Sequence, residues 1–278
     1  MKRSALVFSK GDDVLQVADE TAELLKNYGF NVKSVMRDDA DGEFDENIEI
    51  VIVIGGDGTI LRAAELVYGT DVPILGINLG HMGFLAESER KDLPQSIMNV
   101  VNKDYAIEQR SVLQIEVFGE NSYKSWALNE AVVEKAAKGK MIDVALSVQD
   151  EYLTSFACDG VIFASSTGST AYAFSGGGPI VYPDVEQILM VPLAAYSLFN
   201  KPLSISTNSS FELDILHTAY SDATLTCDGI RQFDLTHGSK LRVYGGKQKI
   251  NFARIGESSF SKRLRNKFSL PQKGWREN

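Results

Sequence analysis

The chain has 278 residues, with 28 Lys+Arg against 37 Asp+Glu and a formal net charge of −9. Hydrophobic residues at 44% and charged residues at 23% describe a folded protein whose length allows about two domains. The acidic balance speaks against a general nucleic-acid binder, no apolar run approaches the roughly 20 residues of a membrane helix, and the apolar part of MKRSALVFSK is too short for a secretory signal. Two cysteines, Cys158 and Cys227, make neither a disulfide framework nor a metal set, so a reducing, cytoplasmic setting is expected.

In chain order, Ser4 to Phe8 is a short apolar run. Val14, Ala18, Ala22 and Leu25 then recur at helical spacing, with Gly29 as a stop signal. Asn31 to Val35 reads as a second strand, and residues 37–46, with six acids in ten, as a mobile loop. Ile48 to Ile54 has the continuous β-branched character of a strand buried on both faces. A glycine-rich turn follows, then a helix over Ile60 to Tyr68, a strand over Pro73 to Asn78, and a helix over Leu93 to Asn102 with Asp92 as its cap. This alternation predicts an α/β N-terminal domain with a mostly parallel sheet.

Near residue 110 the pattern changes to short strands separated by Gly, Asn and Asp: Val112–Phe118, Ser125–Leu128, Val132–Glu134, Val144–Val148, Tyr152–Ala157 and Val161–Ala164. Further strands follow at Leu203–Ser206, Phe211–Leu216, Thr224–Cys227 and Leu241–Tyr244. These predict a β-rich C-terminal domain. The domain boundaries are expected at 1–110, with 250–278 returning, and 111–249. Ser261 to Lys267 reads as a basic helix, within a tail carrying Lys262, Arg263, Arg265, Lys267, Lys273 and Arg276.

The strongest local signal is Gly55-Gly56-Asp57-Gly58-Thr59, directly after a buried strand and before a helix. Ligands of parallel sheets collect at the carboxyl ends of strands, where glycines admit phosphates and unpaired helix N–H groups favour anions. The motif is not a P-loop, because no Gly-Lys-Ser/Thr follows. An Asp aimed at phosphates repels them unless it has another task, such as accepting a proton. Taken alone, the motif also reads as a tight turn with Asp57 as helix N-cap.

Here the sequence resembles a family. GGDGT occurs in NAD kinases, in lipid kinases of the diacylglycerol type and, in related form, in phosphofructokinases. Asn78–Leu85 (NLGHMGFL), Asn129-Glu130, Asp159-Gly160 and Thr167–Pro179 (TGSTAYAFSGGGP) are similar to NAD kinase motifs, in the NAD kinase order. The resemblance implies phosphoryl transfer to the 2′-hydroxyl of the adenosine ribose of NAD, with Asp57 as general base. It implies ATP or inorganic polyphosphate as donor; no His/Cys/Asp cluster has metal-ligand spacing, so Mg²⁺ is expected to arrive with the nucleotide rather than in a protein cage. Gly56, Gly58, Thr59, Arg62 and Lys140 then match donor or phosphate contacts. Asp57, Gly58, Phe84, Asn129, Glu130, Asp159, Thr170, Ala171, Tyr172 and Ser175 match NAD contacts. Arg62 reads otherwise as an exposed helix charge, and Phe84 as core.

The family further implies a homodimer or homotetramer and a C-terminal tail that returns to the first domain. Ile230-Arg231-Gln232 departs from the family's Gln after Asp-Gly, so Asp228 and Gln232 receive no role, and neither does His81. A lipid or other alcohol kinase sharing GGDGT, and a non-catalytic dinucleotide sensor, are the alternatives.

Overall fold

The computed structural model describes residues 3–11, 14–36, 47–80, 83–136, 140–217, 222–256 and 259–271. The acidic stretch 37–46, His81, Lys273 and Arg276 lie outside the described residues. Two units divide the chain, 1–109 with 250–278, and 110–249.

The first unit contains β1 (Ser4–Ser9), α1 (Leu15–Asn27), β2 (Asn31–Met36), β3 (Ile48–Ile54), α2 (Asp57–Val67), β4 (Ile74–Asn78), β5 (Ser88–Glu89) and α3 (Leu93–Asn102). Four strands lie in the order β2-β1-β3-β4, all parallel, and β5 adds beside β4 through Ile77 and Ser88. Continuous apolar character follows from this placement, since Ile50 to Ile54 are at most 1% exposed with neighbours on both faces. Val17, Ala18, Ala22 and Leu25 of α1 and Ile97 and Val100 of α3 pack with them into one core. Where the pattern predicts a helix from Ile60, α2 begins at Asp57, because the glycine motif itself turns into the first helical turn. Asp92 stands at the N-cap of α3 without a side-chain capping bond.

The second unit is built from β6 (Ala106–Phe118), β7 (Tyr123–Ala127), β8 (Glu130–Lys135), β9 (Ile142–Val148), β10 (Glu151–Cys158), β11 (Gly160–Ser165), α4 (Tyr172–Ser175), β12 (Gln187–Leu193), β13 (Leu203–Ser206), β14 (Ser210–Ile215), β15 (Ala223–Cys227), β16 (Arg231–Leu235) and β17 (Lys240–Arg254). The dividing positions fall within β6 and β17, and α5 (Phe260–Lys267) belongs to the first unit. An antiparallel sheet runs β13-β12-β11-β8-β15-β16, and antiparallel pairing also joins β10-β9-β14 to the start of β17. Alternate residues of both layers, including Val144, Leu146, Phe163, Met190, Phe211, Leu213 and Leu225, form one core. The other face of the six-stranded sheet, with Ile162, Ala164, Leu189 and Val191, is covered by Ala173 of α4.

Besides the two-residue β5, two strands of the second unit escape pattern reading. Pro192 inside β12 removes a backbone donor and normally argues against an inner strand, yet it pairs with Val161. The polar alternation of β16 hides the second. The pattern also stops β17 at Tyr244, where Gly245-Gly246 interrupts it, although the strand continues to Arg254.

Phe163 and Phe211 are both 0% exposed, with ring centroids 5.5 Å apart. Phe211→Ala is expected to cost about 3–5 kcal/mol in urea unfolding, with a cavity left between the two layers. A loss below about 1 kcal/mol would show that this contact is not close-packed.

Candidate active site

In the first unit, β3 delivers the chain at Gly55, and α2 starts at Asp57 with Gly56 as a cap that has no side chain to satisfy the first amides. Thr59 and Ile60 donate to the Gly56 carbonyl at 2.9 and 3.1 Å. The N–H groups that open an α-helix lack intrahelical acceptors, so the start of this eleven-residue helix presents donors of the kind that favour an anion. Asp57 does not cap its own helix. Its Oδ2 accepts the Phe84 N–H at 2.9 Å and its Oδ1 the Leu85 N–H at 3.1 Å. Gly83 makes this possible, because a Cβ there would stand 2.1 Å from Asp57 Oδ1. Gly56 and Gly58 are exposed, Thr59 and Arg62 half-buried, and Phe84 is 8% exposed. The Phe84 ring packs against Phe260 and Phe268, with centroids at 5.8 and 6.3 Å.

In the second unit, Asn129 and Glu130 lie at the start of β8 on a loop held from below by Asp228. The Asp228 carboxylate accepts the N–H groups of Leu128 at 2.7 Å, Asn129 at 2.7 Å and Glu130 at 3.1 Å. Arg231 approaches the same carboxylate at 3.5 Å while stacking over Trp126. From the other side, Ser165 Oγ donates to the Leu128 carbonyl at 2.5 Å and the Ser165 N–H to the Asn129 carbonyl at 2.9 Å. Gly168 is pressed so close to Asn129 that a Cβ would stand 2.0 Å from its carbonyl oxygen. The rigid loop leaves Asn129 Oδ1 and Glu130 Oε2 buried without a hydrogen-bond partner. Burial pushes the Glu130 carboxyl up to about 8, Asp228 adds to the rise, and the Tyr172 N–H opposes it.

Asp159 is half-buried and pairs with Lys135 at 2.5 Å. Thr170 and Ala171 are half-buried, Ser175 is exposed, and Tyr172, 40% exposed, bonds Glu134 through its hydroxyl at 3.2 Å. Lys140 is exposed. The structure thus gathers Gly56, Asp57, Gly58, Thr59 and Phe84 in one unit, and Asn129 and Glu130 beside the 165–172 segment in the other. Pattern reading missed Lys135, which pairs with Asp159 from the neighbouring strand, and Asp228, which braces the Asn129 loop. The repeated Cys-Asp-Gly was the available signal for Asp228. Nothing local marks Lys135, since it meets Asp159 only through the pairing of β8 with β11.

Residues 10–105 match the family model of the ATP-NAD kinase N-terminal domain, and residues 128–255 that of the ATP-NAD kinase C-terminal domain. An NAD kinase of Leifsonia xyli is 48% identical over 231 residues, which cover 82% of this chain and 76% of that protein. NAD kinase 2 of Streptomyces coelicolor is 45% identical over 83% of this chain and 77% of its own. Among solved structures, an Archaeoglobus fulgidus NAD kinase in complex with ATP matches with a TM-score of 0.75 at 29% identity, covering 96% of this chain and 97% of that one. A yeast NADH kinase complexed with NADH shares the fold, with a TM-score of 0.84 at 21% identity over 98% of this chain and 89% of its own.

The raised Glu130 carboxyl has a consequence for stability. Between about 4.5, its ordinary value, and about 8, the folded chain holds a proton that the unfolded chain releases, so this contribution to stability is lost as pH rises through that window. Glu130→Gln removes the titration. Its melting temperature relative to the parent is expected to rise by at least about 2 °C between pH 5 and pH 8.5. A difference that does not change with pH would show that Glu130 ionises freely in the folded chain.

Proposed function

The chain belongs to the NAD kinase family, and from that premise we propose that Asp57 is the general base that activates the 2′-hydroxyl of the adenosine ribose of NAD. The enzyme is an NAD kinase, a phosphotransferase with an alcohol acceptor, and neither a lipid kinase nor a non-catalytic sensor is favoured. A ribose hydroxyl is a poor nucleophile at neutral pH, so a carboxylate positioned to take its proton in the transition state lowers the barrier. The observation that carries this reading is the anchoring of Asp57 by the Phe84 and Leu85 amides. A carboxylate has about four lone-pair sites, and two N–H bonds leave room for a hydroxyl while fixing its orientation.

Phosphoryl transfer depends on positioning and on neutralising the charge of the transferring group. The first amides of α2, including that of Gly58, together with Gly56, Thr59, Arg62 and Lys140, are assigned to the phosphates. The donor is ATP, brought in with Mg²⁺ as part of the substrate; polyphosphate is the second donor to compare. Asn129 and Glu130 are assigned to the NAD ribose. Because the Glu130 carboxyl is raised to about 8, at neutral pH it is mostly protonated. It then donates as well as accepts toward a hydroxyl, and adds little negative charge beside the pyrophosphate. Asp159, fixed by Lys135, is assigned to the nicotinamide side. Thr170, Ala171, Tyr172 and Ser175 are assigned to the dinucleotide, with the half-exposed Tyr172 ring available for stacking, and Phe84 to the wall behind Asp57. The two buried thiols, Cys158 and Cys227, suit the reducing cytoplasm.

With NAD, Mg²⁺ and ATP, the purified protein is expected to form NADP, and the same assay with polyphosphate compares the donors. Asp57→Asn lowers turnover at least about 10²-fold while NAD affinity stays within a few-fold. Normal turnover at saturation with a lost NAD affinity would instead make Asp57 a binding group.

The assembly is read as a homodimer or homotetramer, supported by the run of Tyr196 at 85%, Leu198 at 109% and Phe199 at 46% exposure. Leu198→Asp is expected to shift the species seen by sedimentation toward monomer. An unchanged distribution would place the subunit contact elsewhere.

A further inference from the structure

Four buried or half-buried charges meet behind Asp57. Arg254, 9% exposed at the end of β17, and Arg263, 4% exposed on α5, share the carboxylates of Glu87 and Glu108. Arg254 Nη1 lies 3.2 Å and Arg263 Nη1 also 3.2 Å from Glu87 Oε2. Arg254 Nε is 2.5 Å and Arg263 Nη2 3.8 Å from Glu108 Oε2. The second Glu87 oxygen accepts the Ile255 N–H at 3.1 Å. Burial raises the Glu87 carboxyl, and the two guanidiniums oppose that rise.

A buried ion network is a poor source of stability, because desolvation offsets the attraction. What it supplies is a fixed geometry, since planar guanidiniums bond carboxylates in few orientations. The geometry fixed here ends on Asp57. Arg254 Nη1 also donates to the Leu85 carbonyl at 2.9 Å, and the Leu85 N–H donates to Asp57 Oδ1. The ring of Phe84, whose N–H holds the other Asp57 oxygen, rests on Phe260 and Phe268 of the same tail. Residues 176 positions apart in sequence therefore control one short segment, 84–87, from both its backbone and its side chains.

We propose that Arg263 is a positioning residue for phosphoryl transfer: through Glu87 and Arg254 it fixes the Leu85 backbone that orients the Asp57 carboxylate. The proposal rests on the reading of Asp57 as the base. Misplacing a reacting group by about 1 Å costs up to about 10²-fold in rate, while a binding pocket elsewhere is unaffected.

A double-mutant cycle in the full-length enzyme tests it. Arg263→Met and Glu87→Gln are expected to lower kcat about 10-fold or more, with KM for NAD within about 3-fold of the parent. Arg263→Lys, which keeps the charge, is expected to recover part of the loss. In an Asp57→Asn background the same substitutions change the residual turnover by less than about 2-fold, because the group they position is gone. Melting temperatures establish that each variant is folded, and Glu87→Gln and Arg263→Lys carry the test if Arg263→Met is not. A parental kcat in folded Arg263 and Glu87 variants, or an equal loss in both backgrounds, overturns the positioning role while leaving Asp57 as the base. Parental turnover of Asp57→Asn alone overturns the base itself, and is seen separately.

Discussion

Both oxygens of Asp57 accept a backbone N–H, from Phe84 at 2.9 Å and from Leu85 at 3.1 Å, and the surroundings are arranged around that pair of bonds. Bonds from N–H groups to an ionised acceptor are stronger than neutral ones and hold it in one orientation. They explain why Gly83 precedes the two donors, since a side chain there would collide with the carboxylate. They explain equally why the first turn of α2 begins on an acid that would otherwise repel a phosphate. The acid is held by the Phe84 and Leu85 amides of a neighbouring segment, and does not cap the first amides of its own helix.

The second unit uses the same device for a different end. Asp228, buried and at a positive φ of 52°, collects the amides of Leu128, Asn129 and Glu130, and so fixes the loop whose side chains are assigned to the ribose. In both places a short acidic side chain is the partner of consecutive amides.

Charge is distributed in a way that the total of −9 conceals. Arg254 and Arg263 are neutralised by Glu87 and Glu108, and Lys135 by Asp159. In the proposed site, the first amides of α2 therefore join Arg62 and Lys140 as groups that can attract phosphate. The amides carry no net charge and do not appear in a composition. An acidic protein and anionic substrates are compatible for that reason.

Hydrophobic period and glycine placement determined the parallel sheet through Ile48–Ile54, the β-rich second half, and the position of the GGDGT motif at a strand's carboxyl end, because each depends on neighbours in sequence. Family motifs added the order in which the substrate residues occur. The start of α2 at Asp57, the continuation of β17 past two glycines, and the strand through Pro192 were not legible. In the two strands local propensity is outweighed by pairing with distant strands, and at Asp57 the glycine motif itself turns into the first helical turn. Which group holds Asp57, which holds the Asn129 loop, and what Arg254 and Arg263 do were decided only by tertiary structure. Hydrogen bonds and ion pairs between residues 27 to 176 positions apart leave no periodic trace in the chain.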